Sequence, residues 1–107
     1  MTKTLTLIAR LTARPDTSAA LGEGLKALIA PTLREAGALG YVLHRDNDDP
    51  TVWILYETWR SHADLKAHFE QPYTKAMLAR FPDLLARDMD LTYATAIDPL
   101  DPPAPQH

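Results

Sequence analysis

Apolar residues recur with two different periods along this chain, and the order in which the periods follow one another leaves few folds open. From Thr4 to Ala13 they alternate, with Leu5, Leu7, Ala9 and Leu11 on one side and Thr6, Ile8, Arg10 and Thr12 on the other, as in a strand whose two faces differ. Leu21, Leu25, Leu28, Ile29, Leu33 and Ala36 then recur at the three-and-four spacing of one helical face, while Glu23, Lys26, Arg34 and Glu35 fall largely off it. Thr17 or Ser18 caps this helix, Pro31 predicts a kink near Ala27 to Pro31, and Gly37 marks its end. Tyr41 to Asp46 and Thr51 to Trp59 read as two strands joined by the turn cluster Asn47-Asp48-Asp49-Pro50. Ser61 begins a helix to about Glu70, and Asp64 is placed to reach back to the Ser61 amide as a short-armed capping box. Pro72 opens a further helix to about Leu85, with Met77, Leu78, Phe81, Leu84 and Leu85 as its stripe. Asp88 to Ile97 alternates again, with Met89, Leu91 and Tyr93 on one side.

Strand, helix, strand, strand, helix, strand is the split βαβ order of a ferredoxin-like α+β domain with a four-stranded antiparallel sheet. If Asp46 faces Thr51 across a four-residue turn, His44 faces Trp53 and Val42 faces Leu55, on the same face as Glu57 and Trp59. Tyr41, Leu43, Ile54 and Tyr56 then line the other face. Both faces are rich in large apolar groups, whereas one helical layer covers one of them, so a homodimer packed sheet against sheet is expected.

A chain of 107 residues is the size of one domain, which buries roughly two thirds of its unfolded surface. Residues 1–97 are expected to form it, and 98–107, with four prolines, an extended or disordered tail. Without cysteine, the chain offers no disulfide or thiolate metal site. A net charge of -3 with scattered basic residues argues against nucleic acid as a partner. No run approaches the roughly 18 apolar residues of a membrane span, and the first residues lack a secretory pattern. A soluble cytoplasmic protein with no membrane partner is the expectation.

Ile8-Ala9-Arg10, Pro31-Thr32, Gly40-Tyr41-Val42-Leu43-His44-Arg45-Asp46 and, above all, Tyr56-Glu57-x-Trp59-x-Ser61 followed by Leu65-x-x-His68 resemble the antibiotic biosynthesis monooxygenase family, of the dimeric α/β barrel superfamily. The resemblance covers about residues 4 to 97. It implies a small homodimer and, in one branch of the family, oxidation of phenolic or quinol-type aromatics to quinones by dioxygen without metal or flavin. Other branches degrade haem or isomerise a sugar-like molecule. Two departures stand out. Gln71-Pro72-Tyr73 stands where many members have Ser-Pro-His, and Leu78 stands where haem-degrading relatives carry an axial His.

Cofactor-free oxygenation needs an apolar pocket, a base and dipoles that hold the developing charge, because the substrate itself reduces dioxygen. His68 is the leading base, since imidazole titrates near neutrality; its structural alternative is a buried His bonded to backbone or to Glu57. His44, if the register above holds, reaches the same cavity, and Tyr73 is placed to donate to a substrate oxygen or to sit at an interface. Trp59 resembles the Trp of the family pocket, and Trp53, Leu55 and Phe69 join it as candidate substrate-lining residues, although each is also an ordinary core residue. Glu57, a carboxylate in an apolar strand, demands a partner such as Arg10, Arg60 or a His. An iron site built from His44, Glu57 and His68 has permissible residue types but no local metal spacing, so no metal or other cofactor is expected. His62 and His107 are expected at the surface. The leading function is a cofactor-independent monooxygenase acting on a small aromatic or quinol; a non-catalytic small-molecule binder, or an isomerase using His-mediated proton transfer, is the alternative.

Overall fold

A computed structural model describes residues 4–97; the Pro-rich segment expected to form a tail lies outside the described residues. The elements follow as β1 (Leu5–Thr12), α1 (Ser18–Leu33), β2 (Ala38–Arg45), β3 (Val52–Trp59), α2 (His62–Phe69), α3 (Pro72–Leu84) and β4 (Asp90–Ala94). The four strands pair antiparallel in the order β2-β3-β1-β4, the ferredoxin-like α+β arrangement. Alternation in β1 aims Leu5, Leu7, Ala9 and Leu11 at the helices, where each is buried with Leu21, Leu25 and Leu28 of α1. Across β3, Leu7 pairs with Glu57, Ala9 with Leu55 and Leu11 with Trp53.

The hairpin register differs from the expected one by a single residue. Arg45 pairs with Trp53, Leu43 with Leu55 and Tyr41 with Glu57, so His44 lies opposite Ile54 and Val42 opposite Tyr56. The cause is in the turn. Oδ1 of Asp46 accepts the amides of Asp48 (2.8 Å) and Asp49 (3.1 Å), and Asp49 Oδ1 accepts both the Thr51 amide (3.0 Å) and its hydroxyl (2.7 Å). Thr51 is thereby drawn into the loop, and the Asp46 amide donates to Val52 O instead (3.0 Å). A one-residue slip exchanges the faces of β2. Tyr41 and Leu43 point at the helices, and His44 and Val42 point away from them.

Helix α1 ends at Leu33 rather than near Gly37, because the amides of Arg34 and Glu35 tighten back onto Pro31 (3.2 Å) and Thr32 (3.0 Å). Glu35 leaves the helical path and turns inward. Gly37 then passes close to the start of α2: its carbonyl accepts the Arg60 amide at 2.8 Å, and a Cβ there would lie 2.3 Å from Asp64 Cβ. At the other end of α1, Thr17 stands at the cap position, but its hydroxyl donates to Leu84 O (2.7 Å) rather than capping the helix. The Trp53 indole donates to Ser18 Oγ (3.0 Å), which donates to Pro50 O (2.7 Å). Gly22 admits that indole, since a Cβ at 22 would lie 2.5 Å from the ring.

The β3 to α2 joint is capped from one side. Ser61 Oγ accepts the Asp64 amide at 3.2 Å, whereas the Asp64 carboxylate takes the Ser61 hydroxyl (2.9 Å) and Arg60 (2.8 and 3.0 Å) instead of the expected Ser61 amide. Strand β4 is shorter than the alternation predicted, because the end of β1 is occupied: Ala13 bridges Leu85, and the Ala86 amide donates to Thr12 O (2.8 Å). The helix-free face exposes Val42 and Tyr56 to 51% and 46%. Among the described residues, no helix is long and apolar enough to cross a membrane. Loss of the Ser61 cap is expected to cost about 1 kcal/mol, so Ser61→Ala should lower the urea midpoint with an unchanged m-value.

Candidate functional site

Sheet and helices do not close completely on each other. Leu7, Ala9 and Leu55 from the sheet face Phe69, Met77 and Leu78 from α2 and α3 across a cavity of about 30 Å³. Four polar side chains interrupt this hydrocarbon wall: Tyr41, Glu57, His68 and Thr74. The flank lies toward β4, where Leu91 and Tyr93 point to the helix side, opposite Ala9 and Leu7, yet remain 39% and 51% exposed. An apolar hollow with a few convergent polar groups is the usual form of a small-molecule site.

His68 reaches the cavity from α2, one turn after buried Leu65, and is itself 3% exposed. Its ring packs 4.8 Å from Trp59, 5.6 Å from Phe69 and 5.9 Å from Tyr41 between centroids. Nδ1 lies 2.8 Å from Glu35 Oε2, and since a carboxylate only accepts, Nδ1 is the donor in this contact. The Tyr73 hydroxyl donates to the same Glu35 oxygen and lies 3.3 Å from Pro31 O. Burial, with the adjoining Glu35 carboxylate, pushes the Tyr73 phenol up to about 12. Tyr73 is thus a neutral donor that braces Glu35, standing behind His68 rather than in the cavity wall.

Glu57 sits mid-sheet between Leu7 and Tyr41, 4% exposed. Its partner is none of the cations expected from the sequence: Arg10 pairs with Asp46 and Arg60 with Asp64, and Glu57 Oε1 accepts the Trp59 indole N–H at 2.9 Å. Burial pushes its carboxyl up to about 7, against the Trp59 hydrogen bond and with a smaller push from the Glu35 charge. Burial likewise holds the Tyr41 phenol well above the ordinary tyrosine range, so Tyr41 is a neutral group at this wall.

Of the residues singled out by sequence, His68, Phe69 and Leu55 line the cavity. Trp59 lies behind the wall, fully buried, where its indole serves Glu57. Trp53 packs against α1 at the turn end of the sheet, with Arg45 5.2 Å over its ring. His44 is a correction: the register shift sends it to the helix-free face beside Ile54 and Tyr56. The sheet therefore separates it from Glu57 and His68, and the iron site considered above cannot assemble from these three. Among the described residues, no group of three or more His, Cys, Asp or Glu side chains is positioned to share a metal ion. His62 is exposed, as expected, and His107 lies outside the described residues. Sequence reasoning missed Glu35, because helical periodicity continued past Leu33 puts it on the solvent side. It also gave Glu57 only the requirement for a partner, and passed over Thr74. The available signal was that a buried His requires a carboxylate or carbonyl partner.

The antibiotic biosynthesis monooxygenase family model matches residues 4–80, from the first strand into α3, a span that contains Glu35, Glu57, His68 and Tyr73; the chain belongs to this family. Rv0793 of Mycobacterium tuberculosis is 34% identical over 98 residues, 92% of this chain and 96% of that protein. Its structure superposes with a TM-score of 0.84, covering 89% of this chain and 96% of the other. PA3566 of Pseudomonas aeruginosa gives 0.81 at 37% identity, over 90% of this chain and 98% of the other. The Synechocystis protein sll1783 is 32% identical over 63 residues, which span 59% of this chain but only 43% of that longer protein.

The Glu57 shift has a sign that can be measured. The carboxyl is raised from 4.5 to about 7 on folding, so the folded state keeps a proton that the unfolded chain has released. Its stabilising contribution is complete below the unfolded value and is lost as pH rises to about 7. The size is on the order of 3 kcal/mol. In urea titrations, Glu57→Gln should therefore gain stability relative to the parent protein as pH rises from about 5 to 8; a constant difference would refute the buried, protonated carboxyl.

Proposed function

We propose that this chain is a cofactor-independent monooxygenase that oxidises a small phenol or quinol with dioxygen in the cavity between sheet and helices. The observation that carries the reading is the buried His68, whose Nδ1 is fixed by Glu35 while its ring forms part of an apolar cavity wall. Family membership supports it, and the name of the Mycobacterium tuberculosis relative assigns that protein provisionally to the monooxygenases.

Nε2 of His68 takes the proton of the substrate hydroxyl, and the Glu35 carboxylate stabilises the imidazolium that forms. The phenolate is the electron donor. Its ring carbon bonds one oxygen atom of dioxygen, the O–O bond breaks, and the second oxygen leaves as water with the hydroxyl hydrogen and the displaced ring hydrogen. Phenol and dioxygen thus become quinone and water with no outside reductant. Dry, apolar walls favour this chemistry by strengthening the electrostatic contacts to the phenolate. The cavity of about 30 Å³ has room for only about one or two waters, so an aromatic ring enters by displacing the flank at Leu91 and Phe81. Haem is a poor fit to that volume, and Leu78 offers no axial nitrogen.

A homodimer forms part of the same proposal. Ile8, Val42, Ile54 and Tyr56 make an apolar patch on the helix-free face, which a second copy of the sheet would cover. Light scattering at micromolar concentration should return twice the chain mass, and Val42→Asp should return the monomer; a monomeric parent protein would remove this part of the proposal.

In chelator-treated buffer, hydroquinone should drive dioxygen uptake with one hydroxyquinone formed per dioxygen. His68→Ala should lower kcat about 10²- to 10⁴-fold, the range for loss of a general base, with a far smaller effect on the melting temperature of a refolded sample. His44→Ala should leave the rate unchanged. Turnover without dioxygen would instead favour proton-transfer isomerisation, and ligand-induced stabilisation without turnover would favour a binding protein.

A further inference from the structure

Among the described residues, the hydroxyls of Thr4, Thr32 and Thr74 are buried without a hydrogen-bond partner, and of these Thr74 alone lines the cavity. Thr74 is 4% exposed and stands in the first turn of α3. A buried hydroxyl with nothing to bond carries the full desolvation penalty of the group, and a valine of the same shape would avoid it. Threonine is also no better than valine as a helix former. Packing and helix propensity therefore give no reason for an oxygen at this position.

Its surroundings do. Two of the other polar groups of the wall are already bonded within the protein, Glu57 to the Trp59 indole and His68 to Glu35, which leaves the Tyr41 phenol and the Thr74 hydroxyl, and of these Thr74 is the one buried without a partner. Thr74 and His68 line the same cavity of about 30 Å³. The first turn of a helix is moreover its positive end, which favours a developing negative charge.

We propose that Thr74 Oγ1 is the anchor for the substrate's hydroxyl oxygen, holding it toward His68 and donating a hydrogen bond to it as the phenolate forms. This assignment rests on the oxygenase reading above for its reaction, but not for its binding test. It makes Thr74 a specificity-determining residue: the site selects an aromatic bearing a hydroxyl over one of equal size bearing a methyl.

Phenol and toluene are the probes, because they differ at that one group. Ligand-observed NMR titration of the full chain should show tighter binding of phenol than of toluene. Thr74→Val should weaken phenol about ten-fold, the worth of one well-placed hydrogen bond, and leave toluene unchanged. Thr74→Ser should retain the preference. Thermal melting should show T74V at least as stable as the parent protein, since it deletes an unsatisfied group. Equal phenol affinity in T74V and the parent overturns the assignment, as does a parent protein that binds toluene as well as phenol or binds no phenol. If T74V keeps phenol affinity while the parent consumes dioxygen, the anchor falls and the oxygenase stands. If T74V loses phenol affinity while the parent makes no quinone, the anchor stands and the oxygenase falls.

Discussion

One carboxylate joins the parts of this protein that the sheet alone would leave separate. Glu35 comes from the turn after α1, His68 from α2 and Tyr73 from α3, and the two latter side chains meet on the same Glu35 oxygen. A largely buried carboxylate is tolerable only when its lone pairs are filled, and His68 and Tyr73 fill those of Glu35. The arrangement fixes how the helices sit on the sheet, and it also fixes the tautomer of the imidazole. The contact that ties the helical layer together also anchors the imidazole that lines the cavity.

The second buried carboxyl works under opposite electrostatics. Glu57 has a single neutral donor, the Trp59 indole, and no cation, so burial wins and its proton is retained up to about pH 7. Two carboxyls in one core, the first bonded to an imidazole and a phenol and the second left mostly to desolvation, divide a small site into a region suited to positive charge and a region that resists negative charge. The chain achieves this with residues from three elements and one turn.

Much of the fold could be read from periodicity. Alternation in β1 and the spacing of Leu21, Leu25 and Leu28 each report a local geometry that the core then uses, and Pro72 opened α3 where proline is tolerated. The hairpin register was not legible, because it depends on Asp46 and Asp49 folding the turn back on their own amides and so drawing in Thr51. Sequence composition marks such a turn without counting its residues, and with both faces of the hairpin apolar, hydrophobic patterning could not correct the count. That single residue decided the fate of His44. His68 was legible because it follows buried Leu65 on one helical face, whereas Glu35 was hidden by a helix end that cannot be seen from spacing alone.

Strand β4 is five residues long and pairs only with β1. None of Glu35, His68 and Tyr73 is bonded to β4, so releasing β4 would break none of the hydrogen bonds among them. An edge held so lightly is the part of a sheet where amide exchange with solvent is fastest and local opening costs least. Admission of a molecule larger than the resting cavity then becomes a breathing motion of one margin. Substitutions at Leu91 or Tyr93 could change how often that margin opens, and with it the size of molecule admitted, while the chemistry of the interior stayed as it is.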